Sequence, residues 1–380
     1  MNIKSEFKLL KNDNLKNRLN RNKDFIERND TDCPLYGVHI LGNNYMMAYK
    51  ETCKNIPRDR KIEPEDISTR DFLIDIDNFI QMQEQAGGDL FYPVVPYFYL
   101  PWMEAIIGCS IYLGRDSFYA EPFIKSWQEF NWEIDLSCNN RWYSKLIELK
   151  ESLVEHIGDR YPIGSSTHLR GPIDMTSAAI GQTKFCLELY DNPEKIKKLA
   201  GLCTDTFIKV AKKENELAEK SKFGGYIVNN YGVWTPYVCQ YYQDDALAFI
   251  SPKIYKDFFL EEHLKIDSNF NSNFFHVHPI SSFVVDNLIE FPNLDVIEIN
   301  REPMGPSVEE LLPIFKKIQK AGKSLLINFT TVSFNLDLIE KETTILRDNL
   351  SEVGLCIYIS IKDVSDGKRK LNLLKRILGK

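Results

Sequence analysis

The second half of the chain alternates short apolar runs with longer segments of helical periodicity. Four runs are rich in aromatic and β-branched residues, and they read FFHVH (274–278), VIEIN (296–300), SLLINF (324–329) and LCIYIS (355–360). Runs of this length and composition predict buried strands. Strands that alternate with helices need crossover connections and form a parallel sheet, so the pattern predicts an α/β protein.

The segment 307–323 illustrates the helices between these strands. Its apolar residues recur at helical spacing, at Val308, Leu311, Leu312, Phe315 and Ile318. Ser307 and Glu310 fit a capping box at the start, and Gly322 suits the exit. Pro313 lies inside the pattern and predicts a kink in an otherwise regular helix.

Further strands are predicted upstream. The segments are YGVHI, YPVVPY, YPIGSS and YIVNNY, and long helical stretches at 193–221 and 252–268 continue the alternation. Eight strands are the number that closes a barrel, so the predicted fold class is a single TIM (β/α)8 barrel. In that fold the chemistry belongs at the C-terminal ends of the strands.

Composition and charge narrow the class of protein. Hydrophobic residues make up 43% of the chain, enough for a large core, and the formal net charge of −7 disfavours nucleic acid as a partner. No apolar run is long enough to span a membrane, and no signal-peptide pattern is seen. The eight cysteines are scattered without a CxxC pair, which indicates reduced thiols in a cytoplasmic protein. A thin apolar stripe over residues 3–19 favours a surface-docked helix over one lying on a membrane.

Polar residues follow several of the predicted strands. His276 and His278 are two residues apart, so in a strand their side chains point to one face. Glu298 and Asn300 share a face at the end of the next strand. The other candidates near strand ends are Arg301, Asn328, Asn229, Asn230, His168 and Arg170. In a barrel all of these side chains would converge on one mouth, where we expect them to bind substrate.

The two histidines allow three interpretations. With Glu298 they can hold a zinc ion that keeps an open fourth position, or a non-haem iron. They can act as an acid/base pair. Alternatively, one imidazole donates to a backbone carbonyl while the other lines a polar pocket.

Two further groups of polar residues are ambiguous. Asp244 and Asp245 either favour a helix N-terminus, or Asp245 presents a carboxylate to the mouth. Arg170 either binds a substrate carboxylate or faces solvent, and Asp174 is expected to cap the helix after it. No GxGxxG, Walker or GxSxG motif is present.

Three segments resemble the uroporphyrinogen decarboxylase superfamily. In GPIDMTSAAIGQTKFCLELYDNPEKIKKL (171–199) a Gly-Pro turn leads into a helix and Leu-Tyr-Asp precedes a Pro-Glu start. QDDALAFISPKIYKDFFLEEHLK (243–265) is similar to the family's Asp-x5-Ser-Pro segment, with Asp245 at the acidic position. Residues 274–327 are similar to the later strands, where a histidine begins a short motif at a strand end. The resemblance covers about residues 90–360.

The resemblance implies a barrel over residues 61–380 with an N-terminal helical extension over residues 1–60, and a polar cleft at the C-terminal face. It implies one of two activities. One is cofactor-free decarboxylation of a porphyrinogen, and the other is zinc-dependent methyl transfer between a corrinoid protein and a thiol. The implied partners are a small-molecule substrate and a corrinoid protein, a homodimer is left open, and neither nucleic acid nor membrane is expected.

The chain departs from both patterns. The arginine-rich motif of the decarboxylases is missing, and IPRDRKIEPEDI (56–67) does not match it. The zinc methyltransferases carry His-x-Cys where this chain has His276 and His278, and their second cysteine comes late in the chain, whereas Cys356 falls inside a predicted strand.

The first hypothesis is therefore a corrinoid-linked methyltransferase in which Asp245, Glu298 and Asn328 position the substrate. The second is a decarboxylase, with one of the histidines as proton donor and Arg301 or Arg170 as the cation near the departing carboxylate. The third is a ligand-binding barrel without catalysis.

Overall fold

The computed structural model describes residues 13–40, 49–96, 100–115, 117–228 and 231–379. The strands are β1 (Leu35–Ile40), β2 (Ser110–Leu113), β3 (Phe118–Glu121), β4 (Tyr226–Val228), β5 (Val233–Thr235), β6 (Gln240–Gln243), β7 (Asn273–Val277), β8 (Leu294–Asn300), β9 (Ser324–Asn328) and β10 (Leu355–Ile361). The helices are α1 (Asp13–Glu27), α2 (Lys50–Cys53), α3 (Thr69–Ala86), α4 (Trp102–Ile107), α5 (Arg141–Ile157), α6 (Pro172–Ile180), α7 (Gln182–Asp191), α8 (Pro193–Ala218), α9 (Pro252–Phe258), α10 (Leu260–Asn269), α11 (Val285–Leu288), α12 (Val308–Lys320), α13 (Leu336–Asn349) and α14 (Val364–Leu378).

A six-stranded sheet forms the centre of the protein, with the spatial order β1-β10-β9-β8-β7-β6 and every neighbouring pair parallel. Its strands alternate with helices along the chain, as parallel pairing requires. The mixed α/β class that the sequence predicts is therefore confirmed, and the sheet is consistent with a TIM-type fold.

The two faces of this sheet belong to separate hydrophobic clusters. Tyr241, Phe274 and Val296 belong to a smaller cluster, which also contains Leu326 and Tyr358. The residues that follow them in each strand point the other way and pack in the larger cluster beneath the helices. The polar residues near the strand ends thus continue the rows that begin in the smaller cluster.

Two extended segments lie beyond β6 without forming regular strands. They are residues 91–95 and 163–171. The backbone N–H of Gly171 donates to the carbonyl of Gln243 in β6 at 2.7 Å, and the N–H of Gly164 donates to the carbonyl of Val94 at 2.8 Å. These bonds continue the order of the sheet past its regular edge.

The strand predictions are correct for the C-terminal half and partly wrong upstream. YGVHI forms β1, and the four later runs form β7 to β10. YIVNNY contributes β4, but β4 pairs antiparallel with β5 outside the main sheet. Residues 92–96 of YPVVPY and residues 161–166 of YPIGSS form no regular strand. β6, which was not predicted, occupies the place beside β7. Its central residues Tyr241 and Tyr242 are buried on opposite faces, so it shows no apolar–polar alternation.

The N-terminal helix predicted from residues 3–19 is described from Asp13 onward, as α1. Arg18 anchors it to Glu84 of α3 at 2.9 Å and to the carbonyl of Asp89 at 3.1 Å. β1 belongs to the main sheet, so the sheet begins inside the range 1–60 that was expected to be a helical extension. None of the described helices has the length and apolarity needed to cross a membrane.

The predicted helix at 307–323 is present as α12. Its capping box is formed, since the Ser307 side chain accepts from the N–H of Glu310 at 3.3 Å and the Glu310 carboxylate accepts from the N–H of Ser307 at 2.8 Å. The helix runs through Pro313, whose side chain is exposed.

Candidate functional site

His276 lies near the C-terminal end of β7, directly beside Glu298 of β8. Both side chains are buried, and Nδ1 of the imidazole is hydrogen-bonded to Oε2 of Glu298. The hydroxyl oxygen of Tyr231 lies 3.0 Å from the same nitrogen. Because Nδ1 is engaged in this way, Nε2 is the ring nitrogen of His276 that remains for a ligand.

His278 follows β7 and stands perpendicular to His276, with 4.6 Å between the ring centroids. Its Nδ1 is hydrogen-bonded to Glu302, and its Nε2 lies 3.2 Å from Oδ1 of Asp245. Burial alone would lower the pKa of His278, but the hydrogen bonds and charges of Asp245 and Glu302 outweigh it and raise that pKa to about 9.

Asp245 presents its carboxylate to the mouth. Oδ1 accepts from the side-chain amide of Gln243 at 2.9 Å, and Oδ2 accepts from Nη2 of Arg170 at 3.4 Å. Burial favours the neutral acid, but the hydrogen bond from His278 and the charge of Arg170 prevail and hold the pKa of Asp245 below its usual range. Of the two interpretations of Asp245 from the sequence, the geometry favours the functional one.

Asp245, His276 and His278 together form a group that can hold a metal ion, because their ligand atoms all lie within 4.8 Å of one another. Two imidazoles and one carboxylate are ligands that catalytic zinc accepts, with a fourth position open. The predicted set contained Glu298 in place of Asp245. Glu298 instead contacts Nδ1 of His276, the ring nitrogen opposite the metal-binding one. A carboxylate in that position fixes the orientation of a metal-binding imidazole.

The neighbouring Asp244 and Asp174 have a structural role. Asp244 makes no side-chain capping bond, and its buried carboxylate accepts from the N–H of Asp174 at 2.7 Å and lies 2.7 Å from Nε2 of His263. Asp174 was expected to cap α6, but the N-cap position is Gly171. Its carboxylate accepts from the backbone N–H groups of Asp245 and Ala246, at 3.1 and 2.7 Å. It thereby fixes the backbone that presents Asp245.

The two arginines predicted to bind substrate both have carboxylate partners. Nη1 of Arg170 lies 3.2 Å from Glu104, and Nη2 reaches Asp245. Arg301 is buried, and its Nε lies 3.0 Å from both carboxylate oxygens of Glu342 on α13. The positive charge of each guanidinium is therefore already matched by a carboxylate of the protein.

The remaining predicted residues differ in their surroundings. Asn300 is buried at the end of β8, beside Asn328 of β9. Oδ1 of Asn328 accepts from the N–H of Thr330 at 2.8 Å, and the ring of His168 lies 5.3 Å from that of Tyr241. Asn229 and Asn230 lie outside the described residues.

Sequence reasoning missed Glu302 and Tyr231. Glu302 carried a usable signal, since it is a carboxylate only two residues beyond the C-terminal end of β8. Tyr231 carried none, because the β4–β5 connection brings it beneath His276 from a separate hairpin.

Neither a family model nor a curated protein matches the sequence. Among solved structures, the fold is similar to that of a methyltransferase from Methanosarcina mazei, with a TM-score of 0.65. The similarity covers 94% of this chain and 98% of that chain, at 15% sequence identity. At this identity the likeness establishes the architecture, which agrees with a TIM-type α/β fold.

Proposed function

We propose that the protein is a metal-dependent methyltransferase of the corrinoid-linked type, acting on a small methylated compound or a thiol. The observation that carries the proposal is the group of Asp245, His276 and His278, with Glu298 behind His276. The similarity of the fold to that of a methyltransferase supports it.

The donor set fits a zinc ion. Asp245, Nε2 of His276 and His278 would hold it, while Glu298 and Glu302 fix the two imidazole rings through their Nδ1 atoms. Bound zinc supplies a Lewis acid that lowers the pKa of a coordinated thiol or hydroxyl. Arg170 contributes by holding Asp245 ionised and in place.

The partner that fits this chemistry is a corrinoid protein, which would carry the methyl group to or from the mouth. The polar side chains of Asn300 and Asn328, on the neighbouring strands, would then position the small substrate beside the metal ligands. We further propose that residues 91–95 and 163–171 take the places of two strands and complete, with the six strands of the sheet, an eight-stranded barrel around the site. The segment of the chain before β1 would serve as the N-terminal extension.

Methyl transfer agrees with the site better than decarboxylation does. Decarboxylation needs a cation near the departing carboxylate, and Arg170 and Arg301 are the candidates for that role. Both guanidiniums are paired with carboxylates of the protein, so the charge they would lend is already neutralised.

Elemental analysis of the purified protein tests the proposal. We expect about one zinc ion per chain, and we expect the variants His276→Ala and Asp245→Asn to lose it. His156→Ala is the matched control, since His156 is a partly exposed histidine paired with Asp77 elsewhere in the structure. The proposal is wrong if the purified protein is metal-free and takes up no added zinc. It is also wrong if His276→Ala and Asp245→Asn retain as much zinc as His156→Ala.

A further inference from the structure

We propose that Gln243, the last residue of β6, is a positioning residue for the metal ligand Asp245, and that Tyr241 acts through it. The inference rests on the proposed function, because it concerns residues that lie behind the proposed metal group. Two observations support it, namely the contacts of the Asp245 carboxylate and the orientation of the Gln243 amide.

Three side chains of the described residues hydrogen-bond to the Asp245 carboxylate, and the amide of Gln243 is the nearest. Its Nε2 donates to Oδ1 at 2.9 Å, while Nε2 of His278 lies 3.2 Å from the same oxygen and Nη2 of Arg170 lies 3.4 Å from Oδ2. His278 belongs to the metal group, and the side chain of Arg170 is 40% exposed and shared with Glu104. Gln243 is only 5% exposed, so its amide is the donor that fixes Oδ1 when the imidazole is engaged by a metal.

This hydrogen bond is compatible with metal binding by Asp245. A carboxylate oxygen has two lone pairs, so Oδ1 can accept from the amide of Gln243 and still act as a ligand. Carboxylates that bind metal ions are themselves held by hydrogen bonds from neighbouring groups, and removing such a neighbour weakens metal binding. The amide of Gln243 stands in that relation to Asp245, as the carboxylate of Glu298 does to His276.

The orientation of the amide is fixed at both ends. The hydroxyl group of Tyr241 donates to Oε1 of Gln243, and Nε2 donates to Asp245. Turning the amide over would bring Oε1 against the carboxylate of Asp245, where two acceptors meet without a proton between them. The observed orientation satisfies both neighbours, so we expect the hydroxyl group of Tyr241 to influence Asp245 through Gln243.

The two tyrosines of β6 provide a matched comparison. Tyr241 and Tyr242 are both inaccessible to solvent and lie on opposite faces of the sheet. The hydroxyl group of Tyr241 reaches Gln243, whereas that of Tyr242 has no hydrogen-bond partner among the described residues. The two residues therefore differ in their link to Asp245 and not in their burial, which makes Tyr242 the control for Tyr241.

The test is the zinc affinity of the purified full-length protein and its variants, measured by competition with a fluorescent chelator. Gln243→Met keeps the length of the side chain without its donor, so we expect the affinity to fall about 10-fold. Tyr241→Phe removes only a hydroxyl group and should weaken zinc binding roughly 3-fold, whereas Tyr242→Phe should leave it unchanged. In the Gln243→Met background, Tyr241→Phe should have no further effect, because its link to Asp245 is already broken.

The visible absorption spectrum of the cobalt(II)-substituted protein separates positioning from a loss of stability. The d–d bands of the ion report the geometry of its ligands, so they should shift in Gln243→Met and stay unchanged in Tyr242→Phe. Circular dichroism checks that each variant is folded.

The inference is overturned if Gln243→Met has the zinc affinity and the cobalt spectrum of the wild type. It is also overturned if Tyr241→Phe weakens zinc binding as much in the Gln243→Met background as it does alone. If Gln243→Met does not fold, a Tyr241→Phe variant that binds zinc as tightly as Tyr242→Phe overturns it instead. In each case the proposed function stands as long as the wild type binds zinc. A wild-type protein that binds no zinc refutes the proposed function, and the inference with it.

Discussion

Glu298 is inaccessible to solvent, and its only hydrogen bond in the described structure goes to Nδ1 of His276. That contact determines which ring nitrogen can bind a metal, and it makes the imidazole a better ligand because the carboxylate accepts a hydrogen bond from Nδ1–H. At the residue scale, the function of His276 therefore depends on a neighbour that would not itself touch the metal.

Glu298→Gln tests this dependence. The amide has the shape of the carboxylate but not its charge, so we expect zinc affinity to fall roughly 10-fold to 100-fold while the fold is retained. Competition with a fluorescent zinc chelator measures the affinity. Glu340→Gln, on the exposed side of α13, is the control and should leave the affinity unchanged. An unaltered affinity in Glu298→Gln would contradict the role assigned to Glu298.

The same residues show how far the site could be predicted from sequence. The i, i+2 spacing is local information, and it correctly brought His276 beside His278 and put Glu298 and Asn300 on one face of β8. The third member of the metal group could not be chosen in this way. Whether Asp245 or Glu298 faces the open nitrogen of His276 depends on the register of three neighbouring strands and on the turn after β6.

At the scale of elements, the sequence predicts those helices and strands whose signals are local and misses those that depend on tertiary contacts. α12 was predicted with its cap because Ser307, Glu310 and the apolar spacing lie within one short segment. β6 was missed because a four-residue strand buried on both faces has no alternation to read. YIVNNY has the composition of a strand, but composition does not determine which sheet a strand joins, and β4 pairs with β5 instead.

Helix α13 is joined to the end of β8 by the buried pair of Glu342 and Arg301, in which both residues are nearly inaccessible to solvent. Glu342→Gln should leave the guanidinium buried without its counter-charge, and we expect the free energy of unfolding to fall by about 3 kcal/mol. Urea denaturation followed by circular dichroism measures the change. Glu340→Gln removes an exposed pair from the same helix and should cost less than about 1 kcal/mol. Equal effects of the two variants would show that Arg301 is not held by this pair and would restore it as a candidate for substrate binding.

At the scale of the whole molecule, the sheet holds a further buried histidine, His39, on a different strand from the metal group. His39 lies near the end of β1, and β10, β9 and β8 stand between that strand and β7. Its ring stacks between Tyr92 and Tyr358, with centroids at 5.3 and 5.8 Å, and neither of its nitrogens has a hydrogen-bond partner among the described residues. Burial lowers the pKa of His39 from 6.5 to about 3, so this histidine links the stability of the fold to pH.

The sign of that link follows from proton uptake. Between pH 6.5 and about 3 the unfolded chain binds a proton at His39 that the folded chain does not, so stability is fully present above pH 6.5 and falls as the pH is lowered. From pH 7.5 to pH 5 the loss from this one residue is about 2 kcal/mol. His39→Phe keeps the stacked ring and removes the titration, so the free energy of unfolding of this variant should fall by about 2 kcal/mol less than that of the wild type over the same interval. Denaturation at the two pH values measures this difference, in which the other titrating groups cancel because they are common to both proteins. His156→Gln, at a partly exposed site, controls for the loss of a histidine elsewhere in the protein. If the free energy of unfolding falls equally in the wild type and in His39→Phe between the two pH values, His39 is protonated in the folded state.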